Sequence, residues 1–171
     1  MRKYSELEVK KKVEIALGML LKNDSFLLEH DVNERSISHK LAEYLQQLFP
    51  DYNVDCEYNK RGEDIPKTIQ KYWEKLKNDN PLVYPDIIVH RRSTDDNLLI
   101  IEAKNSSNGS RKERDYDLIK LKAYLSKGDK YLYKVAAFIE YPVGNREVIS
   151  KPQFYTEEDQ INFVSDYYGK V

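Results

Sequence analysis

Two neighbouring apolar runs constrain the fold of this chain more than any other sequence feature. The first, at residues 84–92, reads YPDIIVHRR, and the second, at residues 97–105, reads NLLIIEAKN. Both are short and rich in aliphatic residues, and the polar segment STDD separates them, so they are typical of two strands joined as an antiparallel hairpin. Carboxylates are rare in buried strands, so the positions of Asp86 and Glu102 in these runs require an explanation.

Helices and further strands are predicted around this hairpin from the spacing of apolar residues. The predicted elements are helices at 4–22 and 31–49, a strand at 52–58, an inserted helix at 65–80, the two hairpin strands, a helix at 115–126, a strand at 131–142 and a short helix at 157–168. A helix that joins two strands most economically makes a parallel connection. We therefore expect one α/β domain at 1–171, with a mixed sheet of about four strands flanked by helices.

Composition excludes several classes of function. The 171 residues include 28 basic and 29 acidic residues, so the net charge of −1 provides no general polycation to bind nucleic acid. The one cysteine, Cys56, can form no internal disulfide or four-cysteine zinc site, and its strand-like surroundings predict a buried thiol. No apolar run approaches the length of a membrane span and no signal peptide is recognisable, so we expect a cytoplasmic protein without membrane partners.

The acidic residues of the hairpin predict a metal site. Side chains alternate across a strand, so Glu102 and Lys104 lie on one face, and strand pairing brings Asp86 towards Glu102. Two neighbouring carboxylates repel each other and favour a bound Mg²⁺ or Mn²⁺, while the ammonium of Lys104 could orient a water molecule. This combination is suited to phosphodiester hydrolysis. The alternative is a coincidental salt bridge at the surface.

The same residues carry a resemblance to a known family. PD at residues 85–86, followed one strand later by EAK at residues 102–104, resembles the motif of the PD-(D/E)xK nuclease superfamily. That superfamily includes many restriction endonucleases, archaeal Holliday junction resolvases and RecB-type exonucleases. Its restriction-endonuclease-like core runs helix, three strands, helix, strand (αβββαβ), which is similar to the predicted elements at about 31–141. The N-terminal helix and the inserted helix would be additions to that core.

The resemblance implies roles for four residues. It implies that Asp86 and Glu102 hold Mg²⁺ or Mn²⁺ with the help of the Ala103 carbonyl group, and that Lys104 positions the attacking water. The implied activity is that of a Mg²⁺-dependent deoxyribonuclease.

Two further residues have alternative interpretations. Members of the superfamily often carry an acidic residue on the first core helix, and Glu34 stands at that place, although it could instead be the capping-box partner of Asp31. RecB-type members carry Q-x-x-x-Y on the helix after the motif, where this chain has Lys120-x-x-x-Tyr124. Lys120 either reaches a substrate phosphate or is a solvated lysine on the helix surface.

DNA binding is expected to depend on local basic residues. Arg111, Lys112 and Arg114 lie in the predicted loop that follows Lys104, where they could hold a phosphate backbone or be ordinary solvated charges. His90 is predicted to be an exposed residue at the end of its strand, although it could also line the cleft.

The leading hypothesis is a metal-dependent DNA nuclease. A homodimer is compatible with this activity, because cutting both DNA strands requires two sites. A second hypothesis is a catalytically inactive module of the same fold that binds nucleic acid or supports an assembly. A third is a protein-interaction domain that binds its partner through the helix carrying Trp73.

Overall fold

The protein is an α/β protein with a five-stranded mixed sheet. The computed structural model describes residues 3–58, 84–108, 110–125, 132–144 and 151–159. The predicted inserted helix at 65–80 with its Trp73, and most of the predicted helix at 157–168, lie outside these residues. Among the helices that are described, none combines the length and apolar character needed to cross a membrane.

The predicted elements that fall within the described residues occur in the predicted order, with one short helix and one short strand in addition. The helices are α1 (Glu6–Asn23), α2 (Ser25–Glu29), α3 (Glu34–Leu48) and α4 (Arg111–Tyr124). The strands are β1 (Asn53–Cys56), β2 (Ile87–His90), β3 (Asn97–Asn105), β4 (Tyr133–Tyr141) and β5 (Gln153–Tyr155). Their order across the sheet is β1-β2-β3-β4-β5.

Strand directions confirm the predicted hairpin and the predicted parallel connection. β2 pairs antiparallel with β3, and β3 pairs parallel with β4, with α4 between these two strands in the chain. The two outer pairings, β1 with β2 and β4 with β5, are antiparallel. The prediction of about four strands omitted β5, which is only three residues long. The single domain at 1–171 stays a prediction.

Helices α1 and α3 pack against one face of the sheet. α1 begins with a capping box in which the Ser5 hydroxyl and the Glu8 carboxylate each accept a hydrogen bond from the other residue's backbone N–H. Ile37, Leu41 and Leu45 of α3 are fully buried in the core that this helix shares with α1. Leu48, on the same stripe, is partly buried against that core. α3 ends at Leu48, and Pro50 follows two residues later, where it disfavours helical backbone at the preceding residue.

Alternation along β3 separates two apolar clusters. Leu99 and Ile101 belong to the core shared with α1 and α3. Ile100 belongs to a second cluster, to which α4 contributes Leu121, Ala123 and Tyr124. Successive strand side chains point to opposite faces, so Glu102 and Lys104 lie on one face, as predicted. The structure shows that this is the face covered by α4.

The start of α4 corrects one prediction. Arg111, Lys112 and Arg114 were expected in a loop, but they lie in the first turn of the helix. Ser110 is the N-cap, and its hydroxyl oxygen accepts a hydrogen bond of 3.4 Å from the Glu113 backbone N–H. The Ser-x-x-Glu pattern, typical of a helix start, was the overlooked signal.

Two predictions about single residues were also wrong. Cys56 is exposed because it is the last residue of β1, which stands at an edge of the described sheet. His90, predicted to be exposed, is 6% exposed. Its Nε2 lies 2.8 Å from Asp55 Oδ2, and Asp55 also pairs with Arg92. Pairing of β1 with β2 provides this carboxylate partner.

Replacement of a core leucine should show how strongly the α3 packing stabilises the fold. Leu41 is 0% exposed on α3, whereas Leu7 on α1 is 62% exposed. Leu41→Ala should lower the free energy of unfolding by about 2–5 kcal/mol, because it removes buried surface and leaves a cavity. Leu7→Ala, the same change at the surface, should lower it by less than about 0.5 kcal/mol. Urea unfolding followed by circular dichroism measures both, and equal losses would contradict the described packing.

Candidate functional site

Asp86 and Glu102 meet where β2 begins and β3 nears its end. The β2–β3 register pairs Ile87 with Ile101, so its continuation by one residue places Asp86 opposite Glu102. The Asp86 Oδ2 atom accepts a hydrogen bond of 2.7 Å from the Ala103 backbone N–H, which fixes the carboxylate beside β3. Burial raises the pKa of Asp86 to about 6, against the opposing effect of this hydrogen bond.

Glu102 is the most deeply buried acid of the site. It is 1% exposed, and its Oε2 accepts a hydrogen bond of 2.8 Å from Lys120 Nζ. Its Oε1 is buried and has no hydrogen-bond partner among the described residues. Burial raises the pKa of Glu102 to about 8, and the charges of Asp86 and Asp117 act in the same direction, against the attraction of Lys120. Such burial excludes the coincidental surface salt bridge.

Lys120 lies inside the site. It is 8% exposed, so it is not a solvated lysine of the helix surface. Its Nζ lies 2.8 Å from Glu102 Oε2 and 2.7 Å from Asp117 Oδ1. Burial disfavours the ammonium, but the two carboxylates outweigh this effect and raise its pKa.

Asp117 is a residue of the site that was missed in the sequence. It is 3% exposed, and its Oδ2 lies 3.4 Å from Lys104 Nζ, so its carboxylate contacts both lysines of the site. Its position three residues before Lys120, on the same side of α4, was the available signal. Burial disfavours the Lys104 ammonium, yet the charges of Asp117, Glu34 and Asp86 together raise its pKa.

Glu34 joins the site from the first turn of α3. The N-cap of α3 is Asn33, so Glu34 is the first helical residue and not a capping-box partner of Asp31. The Glu34 Oε2 atom accepts a hydrogen bond of 2.8 Å from the Asn105 backbone N–H, and its Oε1 lies 3.5 Å from Lys104 Nζ. Asp31 instead accepts a hydrogen bond from the Asn105 side chain.

The fully ionised cluster would carry an excess of negative charge. It contains the carboxylates of Glu34, Asp86, Glu102 and Asp117 and the ammonium groups of Lys104 and Lys120. Four negative and two positive charges leave two negative charges, which a divalent cation would neutralise.

The donor atoms suit Mg²⁺ or Mn²⁺. The free Oε1 of Glu102, the carboxylate of Asp86 and the Ala103 carbonyl group are hard oxygen donors, and Mg²⁺ is often held by only one or two carboxylates and several waters. No group of three Asp, Glu, His or Cys side chains within the described ranges is arranged around one metal position. The protein would therefore supply few ligands.

Of the four basic residues predicted to bind DNA, the three whose side chains are described do not form one surface. Arg111 is exposed on the first turn of α4, whereas the Arg114 guanidinium lies 3.0 Å from the Glu140 carboxylate. Lys120 belongs to the buried cluster. The side chain of Lys112 lies outside the described part of the chain. Of the predicted set, Arg111 is thus the described side chain that is best exposed to a phosphate.

Comparison with protein-family models, curated proteins and solved structures finds no match for this chain.

The raised pKa of Glu102 predicts a specific dependence of stability on pH. Between its ordinary pKa of 4.5 and its folded pKa of about 8, the folded protein binds more protons than the unfolded chain. The free energy of unfolding should therefore fall as pH rises through this interval. Glu102→Gln removes the titrating group, so the fall between about pH 6 and pH 8 should become shallower, by up to about 1 kcal/mol per pH unit. Urea unfolding in EDTA at a series of pH values measures the slope.

The control for this experiment is Glu14→Gln, the same substitution at an exposed position of α1. It should leave the slope between pH 6 and pH 8 unchanged. A wild-type slope in Glu102→Gln would show that Glu102 does not titrate in this interval.

Proposed function

We propose that this protein is a metal-dependent nuclease that hydrolyses DNA phosphodiester bonds. The proposal rests mainly on one observation: Asp86 and Glu102 lie side by side at one end of the sheet, and Lys104 projects from the same face of β3 as Glu102. Glu34, the first residue of α3, contacts Lys104. Carboxylates and a lysine so arranged are the groups that metal-assisted phosphodiester hydrolysis requires.

The order of the elements supports the more specific assignment to the PD-(D/E)xK superfamily. The elements α3, β1, β2, β3, α4 and β4 form the sequence helix, three strands, helix, strand. This is the αβββαβ order of a restriction-endonuclease-like core, to which α1 would be an addition. The antiparallel β2–β3 hairpin carries the motif, as that assignment requires.

In this proposal Asp86, Glu102 and the Ala103 carbonyl group hold Mg²⁺ or Mn²⁺. When bound, the cation supplies Lewis-acid stabilisation for the negative charge that develops on the phosphate.

Lys104 acts as a hydrogen-bond donor in this mechanism. Its pKa is raised, so the side chain is an ammonium at neutral pH and does not accept the proton of the attacking water. Contacts with Glu34 and Asp117 hold the ammonium at this end of the sheet. From there it orients the attacking water and offsets the negative charge that develops on the phosphate.

The DNA backbone would be held by local groups, because the chain as a whole carries a net charge of −1. Arg111, exposed at the start of the helix that carries Lys120, is our candidate for such a contact. A homodimer, which cutting both strands would favour, stays a prediction.

The second candidate function is a nucleic-acid-binding or assembly module with the same core and no turnover. One observation favours it: Lys120 already pairs with Glu102, and within the described ranges no three side chains are arranged to bind one metal. Such a module would bind DNA but leave it intact.

Cleavage of a DNA panel by wild type and variants tests the nuclease proposal. We expect wild type to cleave supercoiled, linear, single-stranded or four-way-junction DNA in Mg²⁺ or Mn²⁺, and EDTA to stop the reaction. Asp86→Asn and Lys104→Ala should each slow cleavage by at least about 100-fold, because they remove a metal ligand and the group that orients the water. Gel analysis of labelled DNA measures the rates.

The matched control for Lys104→Ala is Lys11→Ala, which removes an exposed lysine from α1 and should cleave at the wild-type rate. Circular dichroism verifies that every variant is folded. Unchanged rates in both site variants would reject this site. Saturable DNA binding by folded wild type without cleavage of any substrate would instead support the second candidate.

A further inference from the structure

Lys120 is held between two carboxylates that belong to different elements. Its Nζ lies 2.8 Å from Glu102 Oε2 on β3 and 2.7 Å from Asp117 Oδ1 one helical turn earlier on α4. It also lies 5.3 Å from the centre of the Tyr116 ring, a distance at which a cation is attracted to the ring face. Lys120 thus has partners on its own helix in addition to Glu102.

Glu102 uses only half of its carboxylate in this arrangement. Its Oε1 is buried without a hydrogen-bond partner in the part of the chain that is described, although the residue is 1% exposed. An uncompensated buried carboxylate is costly, so Lys120 is the cation, among the described residues, that stabilises ionised Glu102 when no metal is bound.

We propose that Lys120 is an exchangeable internal counter-ion: it pairs with Glu102 in the metal-free protein and gives up this contact when a divalent cation binds there. The inference rests on the proposed metal site and describes how that site is regulated. Mg²⁺ and the ammonium compete for the same carboxylate, so the affinity for metal depends on how readily Lys120 leaves.

Asp117 makes this exchange possible without exposing Lys120. A buried ammonium without a partner is strongly disfavoured, but Lys120 retains its contact with Asp117 after it leaves Glu102. The Asp117 Oδ2 atom lies 3.4 Å from Lys104 Nζ but accepts no hydrogen bond within the described ranges, so it has capacity for a further donor beside that ion pair. Because both residues lie on α4, a change of side-chain rotamer is sufficient.

Titration of the metal-free protein with Mg²⁺, or with Mn²⁺ in parallel, tests the exchange by calorimetry without DNA. Lys120→Gln should bind Mg²⁺ about tenfold more tightly than wild type, because a competing cation in contact with Glu102 is gone. Lys120→Met, which offers no oxygen to the metal, should show the same gain and so exclude glutamine as a new ligand. In EDTA both variants should unfold at a lower temperature than wild type.

Lys104→Gln is the matched control. It removes the same charge from the same cluster, but the described partners of Lys104 are Glu34 and Asp117, not Glu102. Loss of charge at this greater distance should tighten Mg²⁺ binding by about threefold or less. If the Lys104 and Lys120 variants gained the same affinity for Mg²⁺, the gain would be explained by the change in net charge alone, and the exchange would be overturned. Weaker binding in the Lys120 variants would also overturn it.

Two further outcomes remain interpretable. If Lys120→Gln is unfolded in EDTA, refolding at Mg²⁺ concentrations below the wild-type Kd supports the exchange, and failure to refold at any concentration overturns it. Absence of metal binding in all variants, wild type included, overturns it as well.

DNA cleavage distinguishes this inference from the proposed function. The predicted order of metal affinities without any cleavage supports the exchange and rejects the nuclease. Metal-dependent cleavage with equal affinities in the Lys104 and Lys120 variants retains the nuclease and rejects the exchange.

Discussion

The pairing of buried charges at one end of the sheet is the interaction on which the arrangement of this site depends. Glu102 and Asp117 are almost fully buried, where an uncompensated charge is strongly disfavoured. Their compensation requires Lys104 from β3 and Lys120 from α4, and Glu34 connects α3 to the same group. A shift of any one of these elements would leave a buried charge without its partner. The apolar core holds α3, β3 and α4 together, and the ionic contacts determine how these elements are positioned relative to one another.

The parts of this structure that could be predicted are those with a local signal. Apolar residues at helical spacing indicated α1 and α3, and short aliphatic runs indicated β2, β3 and β4. Alternation along β3 was sufficient to place Glu102 and Lys104 on one face, and the hairpin placed Asp86 beside them. In each case one periodic pattern, or one turn between two patterns, determines the geometry.

The parts that could not be predicted depend on contacts between distant segments. Nothing near Lys120 in the sequence shows that its helix packs over Glu102, so a solvated lysine was an equally good interpretation. Asp117 is one more acid in a polar helix until that packing buries it. β5 is too short for a periodic signal, and the burial of His90 requires the carboxylate of Asp55 from the neighbouring strand. The early start of α4 differs, because its capping pattern at Ser110 was present in the sequence and was overlooked.

A lysine at position 120 has a consequence for folding that a neutral residue would lack. If position 120 carried glutamine, as in the RecB-type pattern, Glu102 would have no contacting cation among the described residues until a metal bound. Folding would then be coupled to metal binding. With Lys120 in contact with Glu102, the free energy that stabilises the carboxylate is supplied by the chain itself. If the proposed exchange holds, the protein would fold without metal, and part of the free energy of metal binding would be used to separate this existing ion pair. In the proposed exchange, the contact that lets the protein fold without metal therefore also lowers its affinity for metal. The contact of Lys120 with Asp117 limits this loss of affinity, because Lys120 keeps a carboxylate partner after it leaves Glu102.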